Sequence, residues 1–217
     1  MRVAIVDSGV NFAHPHLGVP SRGIALVGDG WDDPAGHGTC VAALVHWLAP
    51  AAELDAVRVL PADLRMSGAD LARGIGVAVE RGARIVNVSI GTREPAHQGA
   101  IAAAVAGAAA AGALVVAAAL PGASGMLPAG LPGVVPVAPR FDGVLVRHDP
   151  GHWPEWTASG EARPFTGQRS NFRGPSMAAA RVSGALAALL AEGVPASDLL
   201  AALAEVAAGV RAAPWLR

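Results

Sequence analysis

Residues 3–9 read Val-Ala-Ile-Val-Asp-Ser-Gly, a run of four apolar residues that ends on an acid and a turn. A short apolar run bounded by turn residues is typical of a strand buried on both faces. We therefore predict a strand over residues 2–6 that ends at Asp7. Ligands of parallel sheets bind beyond the carboxyl ends of the strands, so Asp7 is a candidate functional residue.

Similar apolar runs alternate with helical stretches along the rest of the chain. Further strands are predicted at residues 24–27, 54–60, 84–90, 113–119 and 134–137, and helices at 37–48, 68–81, 96–111, 177–190 and 196–210. This alternation predicts an α/β fold with three αβα layers around a mostly parallel central sheet. Between residues 140 and 173 the pattern is lost, and we expect surface loops with a short hairpin.

The composition is that of a folded domain. The 217 residues are 53% hydrophobic and 15% charged, which is too apolar for a disordered chain. This length predicts a single domain over residues 1–217. The net charge of −1 provides no basic field, so neither nucleic acid nor an anionic membrane is an expected partner.

Several features together predict a reduced, cytoplasmic location. Cys40 is the one cysteine, so no disulfide can form within the chain. The first residues lack the long apolar core of a secretory signal. The uncharged segment 99–122 consists mostly of Ala and Gly, and Gly112 divides it into a helix and a strand, so we do not expect it to span a membrane.

Three residue types in the chain suit nucleophilic catalysis. A serine hydroxyl is a poor nucleophile until a base accepts its proton, and a carboxylate orients the histidine that usually serves as this base. Asp7 lies at a predicted strand end. His37 lies between two glycines where a helix begins, and Ser176 lies at the start of another helix, whose dipole favours a developing anion. Each motif alone is commonly structural, and their joint order along the chain is far more specific.

Over nearly its whole length the chain resembles the subtilisin-like serine proteases. The segments 3–10 and 14–17 are similar to the family's aspartate motif, 36–39 to its histidine motif and 174–178 to its serine motif. The resemblance implies an Asp7–His37–Ser176 triad. It also implies that Ser89, Ile90 and Gly91 pair with an extended substrate, and that Ala118 and Leu120 line the specificity pocket. An α/β-hydrolase is excluded, since the serine comes last and lacks the Gly-x-Ser-x-Gly elbow.

The chain departs from this family at the oxyanion site. Pro121 occupies the position of an asparagine that donates to the oxyanion, and proline has no donor. Loss of such a donor costs about 10²–10³ in turnover. Three polar residues are candidates to replace it, and the sequence does not choose among them: Ser124, Gln168 and Asn171. Leu120 replaces a glycine, which predicts a narrowed or filled pocket.

Two further positions bear on the site. Cys40 follows the histidine motif where relatives often carry a second histidine, and we interpret it as a small core residue. Asp33 matches an acid common before that motif, and we interpret it as structural. No acidic run resembles a calcium loop, so no metal or other cofactor is expected. We see no pro-segment before Asp7, so the chain is expected to fold unaided or with a separate chaperone or partner protein.

These features favour a serine endopeptidase of restricted specificity and low intrinsic activity, for example one that trims a peptide precursor. The alternative is a catalytically impaired pseudoprotease that binds peptides or a partner protein. The departures at Leu120 and Pro121 favour this alternative, and the complete set of Asp, His and Ser favours the enzyme. A third hypothesis is a structural domain in which these motifs occur by chance.

Overall fold

The structure is a computed structural model that describes residues 1–61, 65–163 and 172–216. In these segments the chain forms eight strands and five α-helices. The strands are β1 (Arg2–Asp7), β2 (Gly23–Ala25), β3 (Glu53–Arg58), β4 (Ile85–Val88), β5 (Leu114–Ala118), β6 (Val134–Arg140), β7 (Val146–His148) and β8 (Trp156–Ser159). The helices are α1 (His37–Leu48), α2 (Gly68–Glu80), α3 (Gln98–Ala110), α4 (Pro175–Ala191) and α5 (Leu199–Ala207), with 3₁₀ turns at Pro95–His97 and Ala196–Asp198.

The strands form one sheet in the order β2-β3-β1-β4-β5-β6-β8-β7. All neighbouring pairs are parallel except β7 with β8. The predicted mostly parallel α/β fold is therefore confirmed. The hairpin expected between residues 140 and 173 is present as β7 and β8. Because β8 also pairs with β6, this hairpin extends the central sheet, which the sequence analysis did not predict.

Helices cover both faces of the sheet. Along β1, Val3 and Ile5 face the core formed with α1, α4 and α5, whereas Ala4 and Val6 face the core formed with α2 and α3. Successive side chains of a strand point to opposite faces, so a strand covered on both sides must be apolar throughout. This requirement explains the uninterrupted apolar run that precedes Asp7.

The sheet brings the candidate residues to one edge. β1 ends at Asp7, and the parallel strands β4 and β5 end just before Ser89 and Ala119. The first turns of α1 and α4 lie at this same edge, since Gly38 lies against Asp7 and Ser176 contacts Ser89. None of the helices in the described segments is long and apolar enough to cross a membrane.

Candidate active site

Asp7 is completely buried and is the centre of a hydrogen-bond cluster. Its Oδ1 accepts from the backbone N–H of Ser8 at 2.7 Å and lies 3.1 Å from the Ser8 hydroxyl oxygen. The same oxygen lies 2.7 Å from Nδ1 of His37. A carboxylate at Nδ1 fixes the imidazole tautomer that leaves Nε2 available as a base.

His37 is the first residue of α1, and its neighbour Gly38 allows the helix to start directly against Asp7. A Cβ built on Gly38 would lie 2.2 Å from the carbonyl oxygen of Gly9, so no other residue fits there. Burial of His37 acts to lower its pKa. The hydrogen bond and charge of Asp7, together with the charge of Asp33, outweigh this effect and raise the pKa above its ordinary value. The site therefore favours the protonated imidazole.

Asp33 connects the loop before α1 to Asp7. Its Oδ1 accepts from the Ser8 hydroxyl at 2.8 Å and from the backbone N–H groups of Ala35 and Gly36 at 3.1 and 2.8 Å. Its Oδ2 accepts from the Thr39 N–H at 2.8 Å and from the Thr39 hydroxyl at 2.6 Å. The sequence analysis interpreted Asp33 as structural. The contacts agree, and they also make it part of the hydrogen-bond network of the Asp7–His37 pair.

Ser176 is the second residue of α4, after Pro175 in the first turn. Its hydroxyl donates to the carbonyl oxygen of Ser89 at 3.1 Å. Among the described residues, the Ser176 hydroxyl forms this hydrogen bond and none with His37. The first N–H groups of a helix have no acceptor within the helix, so the Ser176 amide is available to an anion at this end.

Phe172 is a site residue that the sequence analysis missed. Its ring lies edge-to-face on the His37 imidazole, with ring centroids 5.3 Å apart and an interplanar angle of 89°. The side chain is 39% exposed, so Phe172 covers His37 while facing solvent. Phe172 lies next to the serine motif but in an irregular segment, where no periodicity indicates which way a side chain points.

The segment Ser89–Gly91 continues from β4 along the site. Thr92 then pairs with Leu127 in an isolated antiparallel bridge. A Cβ built on Gly91 would lie 2.8 Å from the Leu127 carbonyl oxygen and 3.2 Å from Cγ of Met126. The Met126 side chain thus occupies the space beside Gly91. Its role was not predicted, because the contact joins residues 35 positions apart.

The two residues predicted to line the specificity pocket lie at the end of β5. Ala118, the last residue of the strand, is buried, and Leu120, two residues further on, is 40% exposed. Pro121 lies in the exposed turn that follows and lines an open cavity of about 430 Å³ together with His152 and Trp153.

Of the three candidates to replace the oxyanion asparagine, Ser124 is exposed in the turn 123–126, which follows the turn 120–123 that contains Pro121. Gln168 and Asn171 lie outside the described residues.

Cys40 is half-buried on α1 and packs against the core. Burial, with the charges of Asp33 and Asp7, raises the pKa of its thiol to about 11. The thiol is therefore neutral and unreactive at physiological pH, since the thiolate is the nucleophilic form. Within residues 1–61, 65–163 and 172–216 no group of three or more His, Cys, Asp or Glu side chains is placed to hold a metal ion.

Comparisons with known proteins agree with this fold. Residues 1–136 match the profile of the Subtilase family. Subtilisin BL of Lederbergia lenta is 34% identical over 105 residues, which cover 44% of this chain and 39% of that protein. The thermophilic serine proteinase of Bacillus sp. (strain AK1) is 32% identical over 209 residues, or 87% of this chain and 51% of that protein. The chain thus spans about half the length, or less, of these two relatives.

A solved structure extends the similarity to nearly the whole chain. The prenylagaramide maturation protease PagA superposes with a TM-score of 0.67 and 25% sequence identity. The match covers 99% of this chain and 79% of that protein.

Proposed function

The chain belongs to the subtilase family of serine proteases, and from this premise we propose that it is a serine endopeptidase acting through Asp7, His37 and Ser176. One observation carries the proposal. The buried Asp7 carboxylate lies 2.7 Å from Nδ1 of His37, at the same sheet edge where Ser176 lies in the first turn of α4. This arrangement orients the imidazole of a general base.

The proposed reaction starts with a rotation of the Ser176 side chain. The hydroxyl leaves the Ser89 carbonyl and donates to Nε2 of His37, as catalytic hydrogen bonds often form only with bound substrate. His37 takes the proton as the oxygen attacks the peptide carbonyl carbon. His37 then gives this proton to the leaving amine as the C–N bond breaks. Water cleaves the acyl-enzyme by the same steps, which returns the proton to Ser176.

The surroundings of His37 suit this transfer. Asp7 and Asp33 raise its pKa, so the imidazolium formed during attack is stabilised without protonation of Asp7. Phe172 lies on the ring and shields it from solvent on that side. These contacts support a base held in a single orientation.

Low intrinsic activity follows from the oxyanion site. The amide of Ser176 supplies one donor at the start of α4, whereas Pro121 supplies none. The absence of the second donor corresponds to a loss of about 10²–10³ in turnover. We therefore expect slow cleavage unless another residue or the substrate contributes a donor.

The proposed substrate is an extended peptide. Its backbone would add to the Ser89–Gly91 segment as a further strand. The Met126 side chain lies beside Gly91, which favours a small residue before the scissile bond. The similarity to a maturation protease supports a role in trimming a peptide precursor, which we propose takes place in the cytoplasm.

Turnover of a chromogenic peptide anilide with alanine before the scissile bond tests this proposal. We expect slow hydrolysis by the unsubstituted protein and none by Ser176→Ala. Ser197→Ala, which alters an exposed serine far from the site in sequence, should retain full activity. Equal hydrolysis by Ser176→Ala and the unsubstituted protein would contradict the proposal.

The second candidate function is peptide binding without cleavage. It is favoured by Pro121 and by the Ser176 hydroxyl, which bonds to Ser89 rather than to His37 in the described residues. A pseudoprotease would bind peptides with the same affinity before and after Ser176→Ala and would release no product. Calorimetric titration with a non-cleavable peptide, combined with the anilide assay, separates the two functions.

A further inference from the structure

Asn87 is a buried polar residue in the middle of the apolar strand β4. Its neighbours Ile85, Val86 and Val88 are apolar, and its own side chain has no exposed surface. A buried amide without partners is costly, so its hydrogen bonds show what the residue contributes. Asn87 Nδ2 donates to the Ser89 hydroxyl at 2.8 Å, and Ser183 on α4 donates its hydroxyl to Asn87 Oδ1 at 2.9 Å.

These bonds connect two elements of the proposed site. Asn87 and Ser89 are two residues apart on a strand and face the same side. Ser176 and Ser183 are seven residues apart on a helix, which is two turns, and also share a side. α4 therefore meets β4 at two levels: Ser176 bonds to the Ser89 carbonyl at the sheet edge, and Ser183 bonds to Asn87 deeper in the core.

Elsewhere on α4, the buried Arg181 donates to the carbonyl oxygens of Ser159 at 3.4 Å and Glu161 at 3.1 Å, which anchors the helix beside β8 and not on β4. Six of the thirteen buried residues of α4 are alanines, at positions 178, 179, 180, 185, 187 and 188. Small side chains form shallow ridges and grooves, so they restrain the sliding and rotation of a helix weakly. A buried hydrogen bond has one favourable geometry, and buried polar pairs of this kind can fix the register between packed elements.

We propose that Asn87 and Ser183 are positioning residues, which hold the first turn of α4, and with it the Ser176 hydroxyl, in register with the segment that receives the substrate. This inference rests on the proposed serine protease function. Neither residue touches the reacting atoms. Both act through β4 and α4, so their loss should change the reaction of Ser176 rather than the affinity for peptide.

The experiment compares three substitutions of Ser183. Ser183→Ala removes the hydroxyl, Ser183→Thr keeps it, and Ser183→Cys replaces it with a weak donor. The matched control is Val182→Ala, which trims a buried side chain in the same helix turn without changing the bond to Asn87. We measure the rate of labelling by a fluorophosphonate probe, and kcat and KM for the alanine anilide, at a temperature where circular dichroism shows every variant folded.

We expect Ser183→Ala to lower the labelling rate and kcat at least tenfold with KM unchanged, because a misplacement of 1 Å can cost about 10²-fold. Ser183→Thr should restore most of the rate, Ser183→Cys should fall between, and Val182→Ala should lose stability but keep its rate. A normal rate for Ser183→Ala, or an equal loss for Val182→Ala, would overturn the inference alone. Absence of labelling in the unsubstituted protein would instead overturn the proposed function, and the inference with it.

Discussion

Replacement of the Asp7 carboxylate by an amide tests whether its charge is needed to orient His37. Asp7→Asn keeps the shape of the side chain but presents an N–H donor to Nδ1, which favours the imidazole tautomer with its proton on Nε2, where the base must be free. We expect kcat for the peptide anilide to fall about 10⁴-fold while the protein stays folded. Asp29→Asn, a substitution in an exposed loop, is the control and should be without effect. A fall of less than tenfold for Asp7→Asn would mean that His37 is not oriented by this carboxylate.

Substitution of Pro121 tests whether a missing oxyanion donor causes the low activity. Pro121→Asn adds a side-chain donor at the position that we propose corresponds to the oxyanion asparagine. If the missing donor limits the rate, turnover should rise by up to about 10²–10³. Ser124→Asn places the same amide in the following turn, 123–126, and should leave turnover unchanged. An unchanged rate for Pro121→Asn would mean that another group already binds the oxyanion.

We expect truncation of Met126 and truncation of Leu120 to have different effects on substrate specificity. The Met126 side chain lies beside Gly91, whereas Leu120 is 40% exposed. Met126→Ala should therefore raise kcat/KM for an anilide with phenylalanine before the scissile bond, relative to the alanine anilide. Leu120→Ala should alter this ratio little. The reverse result would identify Leu120 as the residue that limits the pocket.

Asp33 holds the start of α1, because it accepts from two backbone N–H groups just before the helix and from that of Thr39 in its first turn. Asp33→Asn removes one of the charges that raise the pKa of His37, so this pKa should fall. Because the base must be neutral to act, the acidic limb of the kcat/KM profile should move to lower pH. A profile that stays in place would show that Asp33 has no electrostatic effect on His37.

The raised pKa of His37 also makes the unfolding free energy depend on pH. A pKa that is higher in the folded state stabilises the fold when His37 is protonated, below the unfolded pKa. This contribution is lost as the pH rises through the folded pKa. Asp33→Asn should reduce this contribution of protonated His37. The difference in unfolding free energy between the unsubstituted protein and Asp33→Asn should therefore be larger at low pH.

The sequence predicted correctly those helices and strands whose formation depends on the pattern of neighbouring apolar residues. The bounds of α1 at His37–Leu48 were predicted from an apolar periodicity, and β1 from its uninterrupted apolar run. β8 was missed as a sheet strand because its four residues lie among prolines and glycines, and only its pairing with β6 makes it one. The contacts of Met126 and Ser183 were also missed, since they join positions distant in sequence.

The architecture explains why widely spaced motifs converge. Parallel strands place their carboxyl ends at one edge, so Asp7, Ser89 and the turn after β5 meet there although they are far apart in the chain. The two helices that begin with His37 and Pro175 cover the same face of the sheet and pack on each other. The order of the motifs predicted this convergence, but the orientation of the Ser176 hydroxyl depends on three-dimensional packing.

Covalent labelling is the most direct measure of whether Ser176 is an activated nucleophile, as we propose. The folded protein is incubated with a fluorophosphonate, digested and analysed by mass spectrometry. We predict that one adduct forms, on the peptide that contains Ser176, and that it disappears in Ser176→Ala and after heat denaturation. No adduct on the folded protein, or an adduct that persists in Ser176→Ala, would contradict the account.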